Sequence, residues 1–93
     1  MINKNIIIIR KKLDKLDDNF LNLIKKRTKL VDEVLKNKKF KNQIIDKKRI
    51  SIILKNIVKK SKRKNIDPNI TKKIWETMIR SYIDYEFRNF KKK

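Results

Sequence analysis

The chain has 93 residues, which is enough for one domain, and we predict a single domain over residues 1–93. Lys and Arg number 29 against 10 Asp and Glu, so the formal net charge is +19 at pH 7. Because Cys, His and Gly are absent, the sequence excludes disulfides, Cys/His zinc sites, nucleophiles activated by His and glycine-rich phosphate loops. The longest apolar run, residues 6–9, is far shorter than the about 20 residues that cross a membrane. We therefore expect a cytoplasmic protein with no membrane partner.

The large positive charge predicts an anionic partner: a nucleic acid, an acidic lipid surface or a small polyanion. The chain also lacks Ala and is rich in Lys, Ile and Asn, which are residues of A/T-rich codons. Genome composition is therefore a second source of the positive charge. Net charge therefore does not identify the anion, and the positions of individual cations are needed to distinguish the three kinds.

The first periodic segment runs from about residue 3 to about residue 37. Its apolar residues recur at spacings of three and four, typical of a helix with a heptad-like seam: Ile6, Ile9, Leu13, Leu16, Phe20, Leu23, Leu30 and Val34. Such a helix is about 50 Å long, whereas a compact globule of this chain length is about 30 Å across. The apolar seam therefore needs a second copy to cover it, and we predict an intertwined helical homodimer. The alternative is a first helix that breaks near Leu23 and folds back on itself.

Two shorter helices are predicted after the first one. The second begins with Asp46 as N-cap, and the third begins with Asp67 as N-cap followed by Pro68 in the first turn. Since no segment alternates between apolar and polar residues with period two, we predict no strands. The expected fold is all-α, with one long N-terminal helix and two shorter ones.

Cations interrupt the apolar seam of the first helix. Arg27 occupies a seam position, where a charge needs an anionic partner unless its stem carries it to the surface. Lys38 lies eleven residues later, on the same side and about 16 Å along the axis, and is either a second ligand-binding cation or one solvated lysine among many. Arg10 is about 25 Å from Arg27 along the helix. Arg10 can therefore reach the same ligand only from the other copy of a dimer.

The second and third helices add polar residues at the edge of their apolar faces. Arg49 lies three residues after Asp46, which either orients it or simply caps the helix. Glu86 continues the apolar run of the third helix, as either a solvent-exposed edge residue or an inward acid. Three or four cations and one carboxyl facing an apolar core are typical of a pocket for a small dianionic substrate. No nucleophile or metal-binding pattern accompanies them.

Several stretches follow one another in a characteristic order and spacing. They are residues 9–18 with Arg10, residues 20–27 ending in Arg27, the run Asp46-Lys47-Lys48-Arg49, the triplet Ile74-Trp75-Glu76, and residues 81–86 ending in Glu86. Together with Lys38, this pattern resembles the small all-helical class of chorismate mutases, which includes the isochorismate pyruvate lyases. The likeness covers about residues 6 to 90.

The resemblance implies a dimer with two shared active sites and no cofactor. Arg27 and the partner's Arg10 would hold the two carboxylates of chorismate, while Lys38 and Glu86 would donate to its ether oxygen. The reaction implied is the Claisen rearrangement of chorismate to prephenate, a step of the shikimate pathway in aromatic amino-acid biosynthesis.

On the ring-hydroxyl side the resemblance implies Asp46 and Arg49, and it includes Tyr82 among the substrate-binding residues. This chain departs from the usual pattern in three places: Ile50 replaces a Glu that contacts the ring hydroxyl, and Tyr82 replaces a small Ser or Thr. The third is Glu86, which stands where many members have Gln, as it does in some mutases. The pair Tyr82-Ile83 is similar to the lyase branch, so isochorismate pyruvate lyase, which forms salicylate, is the first alternative. A basic nucleic-acid-binding helical dimer is the second, although the lysines are spread along every segment and no nucleic-acid-binding motif is present.

Overall fold

The computed structural model describes residues 3–91, and in that span it consists of helices without any β-strand. The α-helices are α1 (Lys4–Lys36), α2 (Lys47–Arg63) and α3 (Pro68–Asn89), and a short 3-10 helix (Lys41–Gln43) lies between α1 and α2. The all-helical prediction is confirmed. The chain divides into an N-terminal unit and a C-terminal unit, with the boundary between Glu33 and Val34. The prediction of a single domain over residues 1–93 stays a prediction.

The N-terminal unit is formed by α1. The side chain of Asn3 accepts a hydrogen bond from the backbone N–H of Asn5 at 2.8 Å and so satisfies one of the unpaired donors at the helix start. With no Pro or Gly inside it, α1 continues without interruption past Leu23, and the alternative of a break there is wrong. Neither α1 nor any other helix within residues 3–91 combines the length and the apolar character needed to cross a membrane.

The C-terminal unit is built around the packing of α2 against α3. Ser61 is only 4% exposed, and its hydroxyl donates to the carbonyl of Ile57 at 2.6 Å and lies 2.7 Å from the hydroxyl of Thr71. The second helix continues through this contact to Arg63, although residues 59–64 are mostly basic. This part-buried pair of hydroxyl groups holds the last turn of α2 against α3.

The turn between α2 and α3 closes α2 with a Schellman motif. Asn65 has φ 57°, a left-handed conformation that Asn tolerates better than most residues in a chain without Gly. The N–H of Ile66 donates to the carbonyl of Ser61 at 2.9 Å, and the N–H of Asn65 donates to that of Lys62 at 3.2 Å. The carbonyls of Ser61 and Lys62, in the last turn of α2, are thereby satisfied. The chain then turns directly into α3, whose predicted start is confirmed: Asp67 caps it and Pro68 lies in its first turn.

The connection between α1 and α2 is anchored by Ile44, which is 3% exposed and is the most buried apolar side chain among the described residues. Leu35, at the end of α1, is also buried. Asp46 then caps α2 by accepting a hydrogen bond from the backbone N–H of Arg49 at 2.9 Å, as predicted. The connection is therefore pinned at one end by α1 and at the other by the cap of α2, with Lys38 at its start.

Candidate active site

Lys38 and Glu86 form the polar centre of the C-terminal unit. The Lys38 ammonium donates to Glu86 Oε1 at 2.9 Å, although 48 residues separate the two in sequence. Their side chains are 18% and 9% exposed, respectively. A contact of this length between oppositely charged groups is a charge-assisted hydrogen bond, which is stronger than one between neutral groups. The fold thus brings a cation and a carboxylate together at one partly buried position.

Glu86 reaches this point from the last turn of α3 and is the buried residue of that helix. Of the two expectations for Glu86, an exposed edge residue or an inward acid, the structure shows the inward position. Tyr82, one helical turn earlier, is half-buried and packs edge-on against Tyr85, with the ring centroids 6.3 Å apart and the planes at 87°. Two aromatic side chains therefore lie on the same helix as the carboxylate, in the turn before it.

Lys38 reaches the same point from the end of α1. It follows the last helical residue by two positions, and its N–H donates to the carbonyl of Leu35 at 3.1 Å. Since Leu35 is buried, the backbone that carries Lys38 is fixed to the core. The long lysine stem then spans the distance to Glu86.

Asp46 and Arg49 lie together at the start of α2, but their observed contact is between the Asp46 carboxylate and the backbone N–H of Arg49. Both residues are exposed, and the described chain contains no ion pair between the carboxylate and the guanidinium. The structure therefore establishes the capping role of Asp46. The substrate-binding roles of Asp46 and Arg49 stay predictions.

Arg10 and Arg27 belong to the N-terminal unit and are both exposed on α1. Seventeen residues of helix place them about 25 Å apart along the axis. One copy of α1 therefore does not bring the two guanidinium groups together on one small ligand. Their predicted joint role requires two copies of the chain and stays a prediction.

An apolar groove runs along α2. It is lined by Ile50, Leu54 and Val58, with Lys55 and Lys59 at its rim. Neither Lys38 nor Glu86 is among its lining residues, so this cavity is distinct from the charged pair. Ile50, where the usual mutases have Glu, contributes to this apolar surface.

The sequence patterns above overlooked Gln43, whose side chain binds the backbone directly after Lys38. Its Oε1 accepts from the N–H of Lys39 at 2.6 Å and from that of Phe40 at 2.9 Å. A usable signal was present, because a Gln three residues after the start of a helical turn is the acceptor half of a capping box. The short 3-10 helix gave no apolar periodicity that would have drawn attention to it.

Comparison with known protein families matches residues 9–87 to chorismate mutase type II. The chain belongs to the type II chorismate mutase family. This match covers most of the chain and includes every residue proposed for the site, from Arg10 to Glu86. The suspected resemblance is thus confirmed at the level of the family. No curated protein and no solved structure gives a significant match.

Proposed function

We propose that this chain is a chorismate mutase that converts chorismate to prephenate without a cofactor. The observation that carries the proposal is the 2.9 Å contact between Lys38 and Glu86 inside the span matched to the family. Two groups that touch each other in the free chain are close enough to hydrogen-bond to the same ligand atom. In the family that atom is the ether oxygen of the substrate.

The reaction itself asks little of the protein beyond position and charge. A pericyclic rearrangement uses no nucleophile and no base, so a chain without Cys or His can still catalyse it. An enzyme accelerates such a reaction by holding the compact reactive conformer and by stabilising the charge that develops as bonds break. Arg forks bind carboxylates bidentately, and Arg27 with the partner's Arg10 would fix the two carboxylates of the substrate in this way.

Lys38 and Glu86 would act where the C–O bond breaks and negative charge builds on oxygen. Lys38 has three N–H donors, so it can turn one from Glu86 toward the ether oxygen. Glu86 accepts the Lys38 hydrogen bond in the free chain, and an ionised carboxylate cannot donate. To donate to the ether oxygen, Glu86 would have to carry a proton when the substrate is bound.

We further propose that the active unit is a homodimer with shared sites. The seam side chains of α1 are about half exposed or more in one copy, including Leu13, Leu16, Phe20, Leu23 and Leu30. The groove along α2 gives the C-terminal unit an apolar face as well. Both surfaces are candidates for burial by a second copy, which would also bring the partner's Arg10 to the site that needs it.

One observation favours the lyase as a second candidate. Ile50 lines an apolar groove and offers no acceptor to the ring hydroxyl that the usual Glu would contact. Isochorismate carries its hydroxyl at a different ring position. The same arginine contacts to two carboxylates would hold it for elimination to salicylate and pyruvate.

The test is turnover with each substrate separately. We expect loss of the chorismate diene absorbance with formation of prephenate, and no salicylate fluorescence from isochorismate. Salicylate formation without prephenate would assign the chain to the lyase branch. A lack of both products, together with strong and salt-sensitive binding of DNA, would favour the nucleic-acid-binding alternative.

A further inference from the structure

The connection after α1 presents two backbone donors that no helix satisfies. They are the N–H groups of Lys39 and Phe40, and both point at the same side-chain atom, Oε1 of Gln43, at 2.6 Å and 2.9 Å. Because both partners are N–H donors, the atom between them has to be an acceptor, so the orientation of the Gln43 amide is fixed by chemistry. One side-chain oxygen thus closes a loop of five residues that begins immediately after Lys38.

The other end of that loop is attached to the core. The N–H of Gln43 donates to the carbonyl of Phe40 at 3.1 Å, and the N–H of Ile44 donates to that of Lys41 at 3.0 Å. Ile44 itself is 3% exposed. The Gln43 side chain therefore connects the backbone beside Lys38 to a buried anchor, whereas Phe40, at 65% exposed, contributes little burial of its own.

Lys38 depends on such a connection more than a helical residue would. It lies beyond the last residue of α1, and its flexible four-carbon stem loses rotamer freedom when the ammonium is held in one place. The observed partner, Glu86, sits on the rigid α3. A backbone that moves by about 1 Å at Lys38 would move the ammonium away from a point where position controls rate.

We propose that Gln43 is a positioning residue for Lys38: its side-chain oxygen fixes the 39–43 turn so that the Lys38 ammonium meets Glu86 and, in catalysis, the breaking C–O bond. The catalytic part of this inference rests on the proposed chorismate mutase function. The structural part, that Gln43 fixes the Lys38 ammonium on Glu86, does not.

The experiment compares three variants of the full chain. Gln43→Met keeps the length of the side chain but removes the strong acceptor, whereas Gln43→Glu keeps an oxygen in the same place. Asn42→Ala is the matched control, because Asn42 is an exposed neighbour in the same turn whose side chain makes no hydrogen bond within residues 3–91. Since Gln43 is exposed too, all three substitutions leave the helix packing untouched.

Two readouts are measured for each variant. Steady-state kinetics with chorismate give kcat and KM, and the ¹⁵N signal of the Lys38 ammonium, assigned by its loss in Lys38→Met, reports the contact with Glu86. For Gln43→Met we expect kcat to fall about 10-fold or more with KM changed less than about threefold, and the ammonium signal to move to the position of exposed lysines. Gln43→Glu and Asn42→Ala are expected to keep kcat within about threefold of the unmodified chain and to keep the signal.

Three results would overturn the proposal. The first is a Gln43→Met variant that melts at a lower temperature yet keeps its kcat and its Lys38 signal, since Gln43 would then be merely structural. The second is a Gln43→Glu variant as impaired as Gln43→Met. The third is a Lys38 ammonium signal that stays unchanged in Gln43→Met. This third result applies even if the unmodified chain turns over neither chorismate nor isochorismate. In that case the proposed function has failed, and the ammonium signal alone decides the role of Gln43.

Discussion

Leu23 offers the sharpest test of the proposed dimer. It is 62% exposed in one copy of the chain, and full burial of a Leu side chain contributes about 1.5–3 kcal/mol. Burying the remaining surface therefore contributes about 1–2 kcal/mol per chain, and about 2–4 kcal/mol per symmetric dimer because each residue occurs twice. Leu23→Asp removes this term and places two carboxylates in an apolar seam, which costs several kcal/mol more. We expect the dissociation constant to rise at least about 1,000-fold.

Sedimentation velocity over a range of micromolar concentrations measures this shift directly. Leu21→Asp is the matched control, because Leu21 is 63% exposed but lies about 200° around the helix from Leu23, away from the seam. We expect the unmodified chain and Leu21→Asp to sediment as dimers and Leu23→Asp as a monomer without turnover. A monomeric unmodified chain, or equal dissociation of the two variants, would refute the reasoning from the seam.

One further prediction concerns the shared site and two concern its charged pair. Mixing the inactive variants Arg10→Ala and Arg27→Ala should restore activity, because a heterodimer contains one intact site of two; no recovery after proven subunit exchange would count against shared sites. Glu86→Gln should retain chorismate turnover at neutral pH, because an amide donates without first taking up a proton, whereas Glu86→Leu should lose about 100-fold or more in kcat/KM. The double variant Lys38→Met/Glu86→Leu should melt within a few degrees of the unmodified chain, since apolar pairs often replace buried ion pairs without loss, but it should be inactive.

The elements of the fold were predictable because each carries a local signal. Asp46 and Asp67 cap helices from their own side chains, and the three-and-four spacing of the α1 seam needs no tertiary information. The contact between Lys38 and Glu86 was predictable only as a family resemblance, because two residues 48 positions apart in the sequence give no local indication of their distance in space. Gln43 was missed because its capping-box signal belongs to a short 3-10 helix without apolar periodicity, and because the backbone N–H groups that it binds are carried by every residue except Pro.

The two buried polar contacts of the C-terminal unit differ in what they contribute. The hydroxyl pair of Ser61 and Thr71 joins α2 to α3 with neutral groups that satisfy each other and the backbone, so helix packing explains it. The ion pair of Lys38 and Glu86 has no such explanation, because a largely buried pair of charges recovers its desolvation cost only with excellent geometry, and an apolar pair would hold the same elements together. The proposed function accounts for this pair through a ligand whose reacting atom would contact both groups. In the proposed reaction Lys38 would supply the cation, and Glu86 in its protonated form would supply a hydrogen-bond donor to the same oxygen.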